Sequence, residues 1–190
     1  PRGAGALYAR RGIHPAPVIF GGQQERGARG GTEDLPAIAG MAAALEEMTA
    51  HMAENREKTE TLGRRLMEKL SAIPHSALNG SRKGRLPGSV NFTFEDAEGE
   101  PLLLLLDRAG VCASAGSACA SGSLDPSHVL LAMGVPRPLA RCSLRLTLNE
   151  ENTMEEVDYI AAQTAAAVER LRSLSPKWRE KENGGRPFLL

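Results

Sequence analysis

The sequence predicts an α/β layered architecture, and three observations point to it. Two short segments, "SVNFTF" (Ser89 to Phe94) and "CSLRLTL" (Cys142 to Leu148), alternate apolar and polar residues, the period of a half-buried strand. From Leu35 to Leu70 apolar residues instead recur at steps of three and four, the period of a helix with one packed face. Strand-like and helix-like segments then alternate along the chain, an order that favours helices layered on a sheet.

"GALYARRG" (Gly5 to Gly12) reads as a short strand ending in a basic turn. It has no local partner, as would the edge of a larger sheet. "GGQQERGARGGTED" (Gly21 to Asp34) is a Gly-rich loop carrying Arg26 and Arg29. Thr32 or Asp34 can cap the helix that follows, with Pro36 tolerated in its first turn. Leu35, Ile38, Ala42, Leu45, Met48 and Met52 mark one helical face, continued by Thr59, Leu62, Leu66 and Leu70 until "IPH" (Ile73 to His75) stops it. "EGEPLLLLLDRAG" reads as a short buried helix ending at Gly110, with a buried strand as the alternative. "DPSHVLLAMG" predicts a helix capped by Asp125, with Pro126 first and Gly134 at the stop. "TMEEVDYIAAQTAAAVERLRSL" opens on a Thr153/Glu156 capping box and continues as an amphipathic helix. The tail "SPKWREKENGGRPFLL" is expected to be irregular and partly mobile.

A chain of 190 residues suits one domain, or one and a half. Its 23 Lys plus Arg balance 23 Asp plus Glu, so no excess of positive charge recommends nucleic acid or an acidic membrane. The longest unbroken apolar runs, Leu102 to Leu106 among them, have five residues and are far too short to span a bilayer. No signal peptide is recognisable, and the three cysteines do not make a disulfide framework, so the expected compartment is the reducing cytoplasm. The sequence begins with Pro1 rather than Met, consistent with a start that was processed, cut or left out.

Three places carry candidate chemistry. Cys119 stands in "ASAGSACASGS" (Ala113 to Ser123), a tract with no side chain large enough to offset the entropy of ordering it. It is either a linker that contains a cysteine or a tether for a nucleophile that travels between two sites, expected to be the most mobile internal stretch. No Lys, Arg or His lies within the tract to activate the thiol, so activation must come from groups met in space. Cys112 and Cys142 fall in apolar strand patterns and are expected to be buried and inert. Arg145 shares a strand's polar face with Ser143 and Thr147. That face either meets water or lines a cleft in which the guanidinium grips a carboxylate through two parallel hydrogen bonds. The loop from Gly21 to Thr32 is a surface loop or a phosphate cradle leading into a helix N-terminus, with the Thr32 hydroxyl as a further donor. His14, His51, His75 and His128 show no ligand spacing and are expected to be structural or solvated, and no metal site is expected.

"PRGAGALYARRG", "GGQQERGARGGTED", "LPGSVNFTF", "SAGSACASGSLDPSHVLLAMG" and "SLRLTL" together resemble, in order and approximate spacing, the cysteine desulfurases with a long cysteine loop. These are pyridoxal-phosphate enzymes of the class V aminotransferase type that take sulfur from cysteine for iron–sulfur cluster assembly. The resemblance runs from residue 1 to about Glu180, and the Cys119 and "QERGARGGTE" segments are its specific parts. Gln23, where Gly or His is common, and "LTLNEEN", which replaces a Gly-containing turn, depart from the pattern without touching the matched roles.

The resemblance implies the C-terminal part of a fold-type I transferase, with residues 1–52 a remnant of the large cofactor-binding domain and 53–190 the small domain. It implies that Cys119 receives sulfur from L-cysteine as a persulfide, leaving L-alanine, with room for a transient iron–sulfur contact there. Thr32 would reach across a homodimer to the cofactor phosphate of the neighbouring subunit, and Arg145 would hold the substrate carboxylate. Scaffold or sulfur-carrier proteins would be the acceptors, in the cytoplasm, with no nucleic acid and no membrane. In the family the cofactor lysine lies just before the segment matched by Pro1, with the stacking histidine and pairing aspartate further upstream. This chain is therefore expected to lack the cofactor's anchor and to be inactive alone. Two other readings stay open: a non-catalytic or split-gene module for dimerisation or sulfur acceptance, and a selenocysteine lyase or other class V pyridoxal-phosphate enzyme.

Overall fold

The computed structural model describes residues 2–115 and 125–190. Cys119 and most of its small-residue tract, with the expectation of mobility, lie outside the described residues. The chain divides into two units, Pro1–Met52 and Ala53–Leu190.

In the first unit, Gly30 is the one buried position among the described residues. The expected strand at Gly5 to Gly12 does not form. No described segment pairs with it, and a lone strand leaves its amides and carbonyls without a ladder. Leu7 and Tyr8 are accordingly 80% and 89% exposed. Helix α1, Leu35–Ala50, has Asp34 as its cap: the carboxylate accepts from the Ala37 amide at 3.2 Å, and Pro36 sits in the first turn. No α1 residue is buried, although Leu35, Leu45 and Met48 give it an apolar stripe. His51 leaves helical geometry (φ −104°, ψ 6°), so the long helical pattern is two helices, the second being α2, Met52–Ser71.

The second unit is built on a four-stranded sheet of order β1-β2-β4-β3, with β1 Ser76–Leu78, β2 Ser89–Phe94, β3 Ser114–Ala115 and β4 Ser143–Thr147. All neighbours are antiparallel. Period-2 alternation sends Val90, Phe92, Phe94, Leu144 and Leu146 to one face, where they are buried. That face is covered by Leu62, Leu66 and Leu70 of α2, by Leu102 and Leu106 of α3 (Gly99–Arg108), and by Val157, Ala161 and Val168 of α6 (Met154–Leu174). The α/β expectation holds here.

The five leucines form a helix, not a strand: Leu102 and Leu106, one turn apart, are buried while Leu104 is 65% exposed. Gly99 is required where this helix meets the sheet, because a Cβ there would lie 2.7 Å from the Ala115 Cβ. The Thr153/Glu156 capping box of α6 is fully formed. The helix expected from Pro126 is shorter, α4 being His128–Ala132. Asp125 is not its cap but pairs with Arg137 at the start of α5, Arg137–Ala140, at 2.6 Å.

The tail departs most from expectation. It forms α7, Pro176–Glu182, capped by Ser175, and buries Trp178. Buried Glu95 accepts from the Leu189 and Leu190 amides at 2.8 and 2.9 Å and pairs with Lys181 at 2.5 Å. Buried Arg172 donates to the carbonyls of Glu95, Pro74 and His75, and its guanidinium lies 4.1 Å from the centroid of the Trp178 ring. His75 stacks on Phe188 at 3.8 Å. These partners come from about a hundred residues upstream, where no local pattern of the tail reveals them.

Candidate functional site

The sheet's second face carries the alternate residues of β2 and β4: its Thr93/Ser143 end is buried, whereas Arg145 and Thr147 are exposed. Register places Asn91 of β2 opposite Arg145 on one side and Ser114 of β3 opposite it on the other. Directly opposed residues have Cβ atoms about 4.5–5.5 Å apart, so Asn91, Arg145 and Ser114 form one transverse row. Among the described residues no carboxylate or hydrogen-bond acceptor meets the Arg145 guanidinium. A planar donor fork on an open face, beside an amide and a hydroxyl, suits a carboxylate that accepts two parallel hydrogen bonds.

The other two residues expected to share the Arg145 face separate in the structure. Thr147 is exposed, whereas Ser143 is fully buried and donates to the Ala140 carbonyl of α5 at 2.9 Å. Ser143 is committed to packing and offers nothing to a ligand.

Asn91, Asn79 and Ser114 were not singled out in the sequence. Asn79, just beyond β1 and buried, donates its side-chain amide to Asn91 Oδ1 at 2.7 Å and to the buried Thr93 Oγ1 at 2.9 Å. Alternation in "SVNFTF" places Asn91 and Thr93 on the polar face, but only the register reveals that Asn91 is the residue beside Arg145.

The cysteine expectations divide. Cys142 is buried, and burial foremost, with Glu98 and Asp96 nearby, pushes its thiol up to about 11. Cys112 is exposed, contrary to expectation, because it precedes β3 in the sheet's edge segment rather than sitting on a packed face. Among the described residues no group of three His, Cys, Asp or Glu could hold a metal ion.

Thr32 belongs to the first unit, at the exit of a closed loop. The Gly30 amide donates to the Ile19 carbonyl at 2.9 Å and the Gly31 amide to Gln24 Oε1 at 3.2 Å. Gly30 is packed so closely that a Cβ would lie 2.7 Å from the Gly21 Cα. A tight turn over Gln24–Gly27 holds Glu25 and Arg26 at φ 49° and 58°, a left-handed conformation costly for side chains of this kind. At the α1 N-terminus the first-turn amides have partners within the chain. The Leu35 amide donates to the Glu33 carbonyl, Ala37 to the Asp34 side chain and Ile38 to the Asp34 carbonyl, while Pro36 has no N–H. The loop offers a phosphate the exposed Thr32 hydroxyl, a donor that fits one oxygen of such a group.

Residues 1–160 match the family described as aminotransferase class V. A cysteine desulfurase, IscS, of Methanosarcina thermophila is 48% identical over 176 residues, covering 93% of this chain and 44% of that protein. Another, of Clostridium botulinum, is 46% identical over 183 residues, covering 95% and 46%. The X-ray structure of a NifS-like protein from Rickettsia africae superimposes with a TM-score of 0.74 at 29% identity, over 83% of this chain and 41% of that one. The chain thus spans less than half the length of the relatives it matches.

Proposed function

This chain belongs to the aminotransferase class V family, and from that membership we propose that it works within a cysteine desulfurase that depends on pyridoxal phosphate. L-cysteine is the substrate, L-alanine the product, and the sulfur leaves as an enzyme-bound persulfide destined for a scaffold or sulfur-carrier protein in iron–sulfur cluster assembly. The observation that carries this reading is the Arg145 guanidinium, exposed and, among the described residues, without an acceptor, on a polar strand row between Asn91 and Ser114.

Pyridoxal phosphate, when bound, supplies the electron sink that acidifies the substrate's α-carbon. Three side chains of this chain would act beside it. Arg145 fixes the substrate carboxylate by two parallel hydrogen bonds, which turns the substrate thiol toward Cys119. The Cys119 thiolate attacks that sulfur. An S–S bond forms as the substrate C–S bond breaks, and the electron pair goes with the carbon that ends in L-alanine. Thr32 donates its hydroxyl to the cofactor phosphate, held out by the Gly21/Gly30 closure and serving the neighbouring subunit of a homodimer. Among the described residues no helix is long and apolar enough to cross a membrane, and the cytoplasm is the proposed working compartment.

The chain's lysines do not fit the cofactor's anchor. Lys58 bonds the Glu150 carbonyl, Lys69 pairs with Asp158 and Lys181 with Glu95 and Asp96, while Lys83 and Lys177 are exposed in a turn and on α7. By itself this polypeptide is expected to turn over no cysteine.

The test is Arg145→Lys in the holoenzyme that contains this chain. Lysine keeps the charge but loses the planar two-point grip. Losing a charged hydrogen bond costs about 1.5–3 kcal/mol, so kcat/KM for L-cysteine should fall by about ten- to a hundredfold. Unchanged kinetics would leave Arg145 facing only solvent and overturn the reading.

A further inference from the structure

We propose that Asn91 is a second carboxylate-binding residue of the substrate site and that Asn79 is the positioning residue that aims it. The proposal rests on the reading of Arg145 as the carboxylate grip and extends it to the neighbouring strand.

Two facts fix which end of the Asn91 amide faces the substrate. Asn79 donates to Asn91 Oδ1 at 2.7 Å from the β1 side of the sheet, and backbone pairing holds Asn79 there, its amide donating to the Asn91 carbonyl at 2.8 Å. β2 lies between β1 and β4. An amide whose oxygen is committed toward β1 turns its Nδ2 group away from Asn79, and the residue opposite on the other side is Arg145. Among the described residues no acceptor takes a hydrogen from Asn91 Nδ2, and it is not a buried orphan, so it opens to solvent on the Arg145 face. Asn79 in turn cannot rotate freely, because the same side-chain nitrogen also donates to buried Thr93 at 2.9 Å.

The row therefore presents donors to a carboxylate: the guanidinium fork of Arg145 and the Nδ2–H of Asn91. Without Asn79 the Asn91 amide could turn its oxygen toward the same carboxylate, a repulsive contact in place of a hydrogen bond. The ligand chemistry is an α-amino acid's carboxylate, and an amine of the same length without that group gains nothing from the pair.

The experiment uses the holoenzyme and reads binding by the change in cofactor absorbance on titration with L-alanine or with ethylamine, which lacks the carboxylate. Asn91→Ala should raise the L-alanine dissociation constant about tenfold and leave ethylamine within about twofold, as expected for a lost hydrogen bond to a charged group. Asn79→Ala should lower the alanine-to-ethylamine preference by about threefold, which a purely structural role would not do. Should Asn91→Ala lose the fold, Asn91→Val, at home in a strand, must give the same loss of preference. Equal weakening of both ligands would mean that Asn91 is structural and overturn the proposal. Unchanged L-alanine binding in the Asn91 variants, with binding lost in Arg145→Lys, would overturn the proposal and leave the Arg145 reading standing. No change in any of these variants would overturn both.

Discussion

At the scale of single residues, the two described cysteines are chemically unlike although both occur in similar apolar contexts. A thiol held at about 11 is only about a thousandth thiolate at pH 8, and Cys142 is also buried. Cys112 is open to solvent. Brief treatment of the folded protein with iodoacetamide at pH 8 should therefore alkylate Cys112 and leave Cys142 intact until denaturant is added. Peptide mass mapping checks this, and early modification at Cys142 would contradict its packing. The contrast also marks the limit of pattern reading at this scale. "VCASA" and "RCSLRL" look alike in hydropathy, but the buried Cys142 thiol meets the backbone of Asp96 and Ala97 while Cys112 leads into a strand of two residues.

At the scale of elements, one buried carboxylate, Glu95, helps to hold the tail from α7 onward, and its share of that hold should depend on pH. Burial alone would raise Glu95, but the bonds from Lys181 and from the Leu189 and Leu190 amides outweigh it and hold the carboxyl below its usual value. A lowered native value gives a contribution complete above the unfolded pKa of about 4.3 and lost as pH falls through the native one. Burial would lower Lys181, and Asp96 and Glu95 more than offset this, so its native value is raised. Its contribution is complete below the unfolded pKa of about 10.4 and lost as pH rises through the native value. The tail should stay docked between these limits and loosen beyond either. Trp178 is the single tryptophan and packs in this segment, so its fluorescence reports the release. An emission spectrum unchanged well below pH 4 would contradict the Glu95 account.

Elements with their own period or cap were legible in the sequence: β2 and β4 through alternation, α1 and α6 through Asp34 and the Thr153/Glu156 pair. Those that exist only because something distant pairs with them were not. β1 and β3 have three and two residues and no pattern at that length. The tail's order depends on Arg172 and Glu95. The candidate site divides in the same way. Arg145 and Thr32 stand out by residue type and by resemblance, whereas the Asn79–Asn91 pair follows from register, which single-strand alternation leaves open.

At the scale of the whole molecule, the two units differ in what can hold them folded. Ala53–Leu190 owns a continuous apolar core, from Leu62 through Phe94 to Val168. Pro1–Met52 buries only a glycine among its described residues and exposes Ile13, Val18, Phe20 and Leu45. Cooperative unfolding should come from the second unit alone. A polypeptide of residues 53–190 should melt within a few degrees of the full chain, and limited proteolysis should remove the first 52 residues first. A large drop in Tm on truncation would show that the first unit contributes to the core. The full chain mixed with pyridoxal phosphate and L-cysteine should also release no more alanine than free cofactor does. Turnover above that background would mean that one of its five lysines anchors the cofactor after all.

The order of the sheet also sets a leash. β3 lies at the edge beside β4, so the last described residue before Cys119, Ala115, is paired with Leu144, next to Arg145. Four peptide links separate Ala115 from Cys119. A chain spans at most about 3.3–3.6 Å per residue, so these four links reach no more than about 14 Å at the Cα, and the cysteine side chain adds only a few ångström to that bound. Confinement within such a radius corresponds to an effective thiol concentration in the millimolar range or above. If the proposed function holds, lengthening the tract by several glycines should dilute the thiol at the proposed carboxylate grip without altering its chemistry, slowing sulfur capture from the substrate while leaving the affinity for L-alanine unchanged.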